Sequence, residues 1–174
     1  MDYLELARKR YSERRFSDKG VEPDKIAKIL EAGRIAPTAH NLQPQKIYVI
    51  ASEEAHAKLL TKTKMTYGAP LVFLVCYDNT ISWKNTNDRC YENYDSGEVD
   101  ATLAASSMMM EATDLGLCTL WARAFDSADM IEIFDLPENI VPVVLLSVGY
   151  PGPESRPSRL HDSRKPIDEI VVIK

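Results

Sequence analysis

Arg10, Ser12 and Arg14 fall within five consecutive positions, and together they have the chemistry to hold an anion. Two guanidiniums bracketing a hydroxyl supply charge plus directional donors, which suits phosphate oxygens better than ammonium point charges would. A second segment, Pro37-Thr38-Ala39-His40-Asn41-Leu42-Gln43-Pro44, is rich in amide donors and acceptors able to read a flat heterocycle. Near the far end, Ser163-Arg164-Lys165-Pro166 brings basic residues back. Five of the eight residues from Arg8 to Arg15 are basic, a density expected to disperse or be solvated unless something anionic sits beside it.

The familiar catalytic constellations are missing. No G-x-G-x-x-G follows a strand pattern, and no G-x-x-x-x-G-K-[ST] occurs. His40, His56 and His161 stand alone, outside any H-x-x-x-H or H-E-x-x-H spacing, so no metal site is expected. No Ser or Cys occupies a G-x-S-x-G elbow, and Cys118 in a strand pattern reads as a small core residue rather than a nucleophile.

The elements that must position these groups follow from periodicity. A short first helix over 3–10 carries Arg10 to its C-terminal end. Pro23 opens a second helix, whose apolar positions Ile26, Ile29, Leu30, Gly33 and Ile35 recur until Pro37 stops the pattern. Residues 46–51 alternate as a strand, and Ser52-Glu53-Glu54 starts a helix to about Lys62. Residues 71–77 are apolar on both faces, the pattern of a central strand covered on each side, so helices must flank the sheet twice. The polar stretch 78–96, with Trp83, Tyr91 and Tyr94 embedded in it, reads either as a lid or substrate wall, or as a surface excursion pinned by its aromatics.

Residues 101–113 leave almost no charged face before Glu111. Such a helix must be buried nearly all round, most easily against a second copy of the chain. Gly116 supplies its stop. Residues 117–122 form a strand, Asp126 or Ser127 caps a helix to Phe134, and 140–150 is a long strand with Pro142 near its start. The proline-rich stretch 151–159 is irregular, and the tail 167–174 ends apolar, as though it needs a sheet edge from a neighbouring subunit. The order of elements predicts a single α+β or α/β domain over 1–174, with helices packed on both faces of a short mixed β-sheet.

Composition narrows the function. Lys and Arg number 21 against 26 Asp and Glu, a net charge of −5, which argues against a nucleic-acid binder and offers no polybasic surface to a membrane. Cys76, Cys90 and Cys118 form no closed disulfide framework, which suits a reducing cytoplasm. Asp2 and Glu5 do not fit a secretory leader, and no apolar run approaches the roughly 20 residues needed to span a bilayer.

With the segments 10–14, 37–44 and 163–166 together, the sequence resembles the nitroreductase family of flavoproteins, over nearly its whole length. The resemblance implies an intertwined α+β homodimer with C-terminal tail exchange, binding FMN and taking hydride from NADH or NADPH. On the family pattern Arg10 and Ser12 would hold the FMN phosphate with Arg164 closing on it, and Arg14 would lie near the N1 and O2 edge of the isoalloxazine. Tyr11 falls inside that motif, where a second basic residue is common. Pro37, Thr38, Ala39 and Asn41 match the loop that reaches the flavin from the partner, with Gln43 and Pro44 shaping it; Trp121, Ala122 and Arg123 match the segment passing its reactive face. Lys165 and Lys64 match loosely. No general acid, base or nucleophile is implied, because the cofactor carries the chemistry. The implied activity is a two-step hydride transfer to a nitroaromatic, quinone or similar acceptor. A specialised flavin dehydrogenase or dehalogenase, a non-catalytic FMN storage or sensing module, and a purely structural dimer remain as alternatives.

Overall fold

The computed structural model describes residues 2–174. Its centre is β2 (Leu71–Asp78), which pairs with β1 (Gln45–Ile50) on one side and β6 (Ile140–Gly149) on the other; β5 (Cys118–Ala122) completes the order β1-β2-β6-β5. All three pairings are antiparallel, so the four-stranded sheet is not the mixed sheet expected. The parallel component shrinks to one bridge, Ser12 to Thr119 at the β5 edge. Strand and helix patterns do not encode strand direction, and here the connections return each strand antiparallel to its neighbour.

Alternation along β2 divides the core. Leu71, Phe73 and Val75 pack with Ile29 of α2 (Pro23–Arg34) and Ala101, Ala105 and Met108 of α4 (Gly97–Asp114). Val72, Leu74 and Cys76 pack on the opposite face with Leu59 of α3 (Glu53–Lys62) and Met130 of α5 (Ser127–Phe134). Successive strand side chains point to opposite faces, so a run apolar at every position needs cover twice. The helices on both faces match the sequence reading, as do the caps: Ser52 Oγ accepts from Ala55 N at 3.2 Å, and Asp126 Oδ1 accepts from Ala128 N at 2.9 Å. Gly116 takes φ +80° in the turn after α4, the left-handed geometry that a helix stop favours.

One expectation needs correction: the loop 78–96 contains a small hairpin, β3 (Lys84–Asn85) with β4 (Tyr94–Asp95). Within the single chain Val99 and Leu103 of α4 stay exposed. Among the described residues the tail joins no strand: after a short 3-10 turn at Ile167–Glu169, Val172 is 75% and Ile173 94% exposed. Among the described residues no helix is long and apolar enough to cross a membrane.

Candidate functional site

Helix α1 (Tyr3–Lys9) rests on α4 and ends where Arg10 turns extended, its N–H still donating to Leu6 O at 3.1 Å. The strip that follows lies along the sheet edge, with Glu13 N donating to Thr119 O at 2.9 Å. From the other end of the chain the segment after β6 folds back over this strip. Ser17 N donates to Tyr150 O at 3.0 Å, Gly152 N to Arg15 O at 2.7 Å, and His161 Nε2 to Arg8 O at 2.8 Å. A cleft of about 240 Å³ opens between the two segments, lined by Arg10, Tyr11, Ser12, Arg14, His161 and Arg164. A broader cleft of about 530 Å³ continues from it past Arg15, Arg156 and Arg159.

Residues more than 150 positions apart in sequence thus meet at one concave surface. The Arg164 guanidinium is oriented by the carbonyls of His161 and Ser163, at 2.6 and 2.7 Å, leaving other donors on its fork for a ligand. Beneath the cleft sits Glu13, 1% exposed. Its Oε1 accepts the backbone N–H groups of Arg14 and Arg15 at 2.9 and 2.7 Å, and its Oε2 accepts the Tyr11 and Ser155 hydroxyls. Desolvation pushes the Tyr11 phenol up to about 12, so it stays a neutral donor across the physiological range. The Cys118 thiol lies 3.6 Å from the same phenol oxygen, and burial raises its pKa too. Sequence reasoning missed both Glu13 and Ser155; the one available signal was a lone carboxylate inside a basic run.

The remaining candidates lie elsewhere. Pro37, Thr38, Ala39 and Asn41 do not line the arginine cleft of their own chain. Their loop contains a single 3-10 turn, Ala39–Asn41, with His40, Asn41 and Gln43 all at φ between 51° and 54°. Non-glycine residues seldom hold that conformation unless their surroundings impose it. Here Asp100 Oδ1 accepts Ala39 N at 2.8 Å, Thr38 Oγ1 accepts Gln43 N at 3.0 Å, and Trp83 stacks on His40 with ring centroids 5.1 Å apart. The aromatics of the 78–96 stretch therefore pin it to this loop.

Trp121 is half-buried against the α2/α4 core, and Ala122 is buried on the opposite face of the sheet. The Arg123 guanidinium donates to Phe125 O and Ser127 Oγ at 3.3 and 3.2 Å. Lys165 reaches Glu169 at 3.8 Å, and Lys64 is exposed and lines neither cleft. Among the described residues no group of three His, Cys, Asp or Glu side chains is placed to hold a metal ion.

The model of the Nitroreductase family matches residues 7–67 and 57–150, from the arginine strip to the end of β6. The chain belongs to the nitroreductase family. The crystal structure of a nitroreductase family protein from Clostridium difficile superposes with a TM-score of 0.89 at 38% identity, covering 99% of this chain and 98% of that one. A protein from Exiguobacterium sibiricum, crystallised in complex with FMN, gives a TM-score of 0.82 at 25% identity over 100% of this chain and 98% of its own. An NADPH-dependent oxidoreductase from Staphylococcus aureus is 29% identical over 95% of this chain and 70% of its own length. The α+β architecture is thus the nitroreductase fold, with its sheet antiparallel throughout.

Proposed function

We propose that this chain is an FMN-dependent oxidoreductase that takes hydride from NADH or NADPH and passes it to a small organic acceptor such as a nitroaromatic or quinone. One observation carries the reading: Arg10, Ser12, Arg14 and Arg164 meet at a single cleft in a chain whose net charge is −5. Concentrating guanidiniums against that overall balance calls for an anionic ligand. The FMN complex of a family relative and the NADPH-dependent name of another support the choice of ligand and donor.

The residues present suit FMN. Arg10 and Arg164 supply charge-assisted donors for its phosphate, and Ser12 adds a hydroxyl. Arg14, on the same cleft, would supply positive charge to the pyrimidine edge that becomes negative on reduction. FMN itself supplies the centre that accepts and returns hydride, so the protein's task is to bind, orient and exclude water, without a general acid or base.

The whole of 1–174 acts as one FMN-binding domain in a homodimer of the cytoplasm, where three free cysteines stay reduced. Support for the dimer comes from Val99 and Leu103 on the outer side of α4 and from Ile170, Val171, Val172 and Ile173 in the tail, all exposed in the single chain. A partner covering those surfaces also gives the 37–44 loop a route to the neighbour's arginine cleft.

The test is direct. Purified protein should carry flavin absorbance, lose it anaerobically on adding NADH or NADPH, and regain it with a nitroaromatic or quinone, while eluting as a dimer by light scattering. A preparation unable to take up FMN rejects the reading, and a flavin that neither nicotinamide bleaches rejects catalysis.

A further inference from the structure

We propose that Glu13 is the positioning residue of the phosphate cradle. Through its buried carboxylate it locks the 10–15 strip and the 151–164 segment into the register that lets Arg10, Ser12 and Arg164 act on one phosphate. The proposal rests on the FMN reading above.

A fully desolvated carboxylate persists only when its oxygens are well bonded. Both oxygens of Glu13 are bonded, and the donors come from two parts of the chain: the N–H groups of Arg14 and Arg15 with the Tyr11 hydroxyl from one, the Ser155 hydroxyl from the other. Tyr11 and Ser155 are also 2.6 Å from each other, so the three side chains are in mutual contact, with two hydroxyl protons shared among them. The other ties between the segments include main-chain contacts and exposed pairs, such as Gly152 N to Arg15 O and Arg15 to Glu154, and an edge-to-face contact of Tyr11 with His161 at 6.1 Å between ring centroids. Glu13 is the one buried side chain that bonds to both segments, and its loss leaves half-buried hydroxyls on each side without their acceptor.

Position adds a second argument. Arg10, Ser12 and Arg14 reach the cleft from alternate positions of an extended strip, while Glu13 lies between them at the floor of the broader cleft. With Arg15, Arg156, Arg159 and Arg164 also bordering these clefts, like charges crowd together. A carboxylate beneath them offsets that repulsion before any ligand arrives, and its two backbone bonds fix the direction in which Arg14 and Arg15 leave the chain. Glu13 touches no ligand on this account; it acts through its neighbours.

The experiment compares FMN with riboflavin, which lacks the phosphate, by titrating apoprotein and following flavin fluorescence. Wild type should prefer FMN. Glu13→Gln, nearly isosteric but uncharged, should weaken FMN about tenfold and leave riboflavin affinity unchanged, as loss of one charge-assisted network would. Ser155→Ala, which removes a single donor, should shift FMN in the same direction by less and serves if Glu13→Gln fails to fold. Equal weakening of both flavins, or an unchanged ratio in both variants with wild type still preferring FMN, overturns the role of Glu13 and leaves the FMN reading standing. Wild type that binds both flavins equally overturns the phosphate cradle itself.

Discussion

Asp100, in the first turn of α4, accepts the backbone N–H of Ala39 at 2.8 Å while its second oxygen accepts the Ser96 hydroxyl at 2.8 Å. One buried carboxylate thereby joins a strained loop to the start of the longest helix. Removing it in Asp100→Ala strands both donors and should cost about 1.5–3 kcal/mol. A lowered thermal midpoint, with weaker flavin retention, is the expected result; unchanged values for both would show that Trp83 and the Thr38–Gln43 bond suffice to hold the loop.

The arginine cleft makes a separate prediction. Arg10→Ala and Arg164→Ala should each raise the FMN dissociation constant by about tenfold or more, the equivalent of roughly 1.5–3 kcal/mol for a charge-assisted bond. Flavin fluorescence titration of the apoprotein measures this. Retention of wild-type affinity in both variants would dismiss the assignment.

Thiol chemistry should separate the three cysteines. Burial pushes Cys76 up to about 12 and raises Cys118, whereas Cys90 is exposed in the 78–96 stretch. Because the thiolate is the reactive form, a native sample near pH 8 should show one fast-reacting thiol. Cys90→Ser should abolish that phase, and a fast phase that survives would place the reactivity elsewhere.

At alkaline pH the Tyr11 network should fail. The folded state holds this phenol's proton more tightly than the unfolded chain does, since its pKa rises from 10.0 to about 12. Its contribution to stability is therefore complete below about pH 10 and is lost as pH climbs towards 12. Denaturant melts across that window should show a shallower decline for Tyr11→Phe than for wild type. Cys76 loses its stabilising proton over an overlapping range, so part of the decline remains in the variant.

Close packing of α2 on α4 gives a stability prediction remote from the site. A Cβ on Gly33 would lie 2.9 Å from Cγ and Sδ of fully buried Met108 and 3.0 Å from Ile47 Cδ1. Gly33→Ala should destabilise by about 1–3 kcal/mol despite its better helix propensity. Combining it with Met108→Ala should recover part of that loss, and simple additivity in a double-mutant cycle would argue against the contact.

Much of this architecture is written in nearest neighbours. Pro23 and Pro37 bracket α2, Ser52 and Asp126 cap their helices, Gly116 ends α4, and the unbroken apolar run of β2 demands helices on both faces, because caps, turns and periodicity depend on residues a few positions apart. Arg10, Ser12 and Arg14 likewise read as a candidate anion site once segments 37–44 and 163–166 are taken with them. Strand order and direction were not legible, since every pairing in the sheet joins segments whose partner is selected by packing rather than by local pattern. The same limit hid Glu13: a carboxylate among arginines reads as one more surface charge until the fold brings Ser155, 142 positions away, against it and buries the carboxylate. Which charges are solvated and which are buried is decided by long-range contact, and that decision belongs to the tertiary structure.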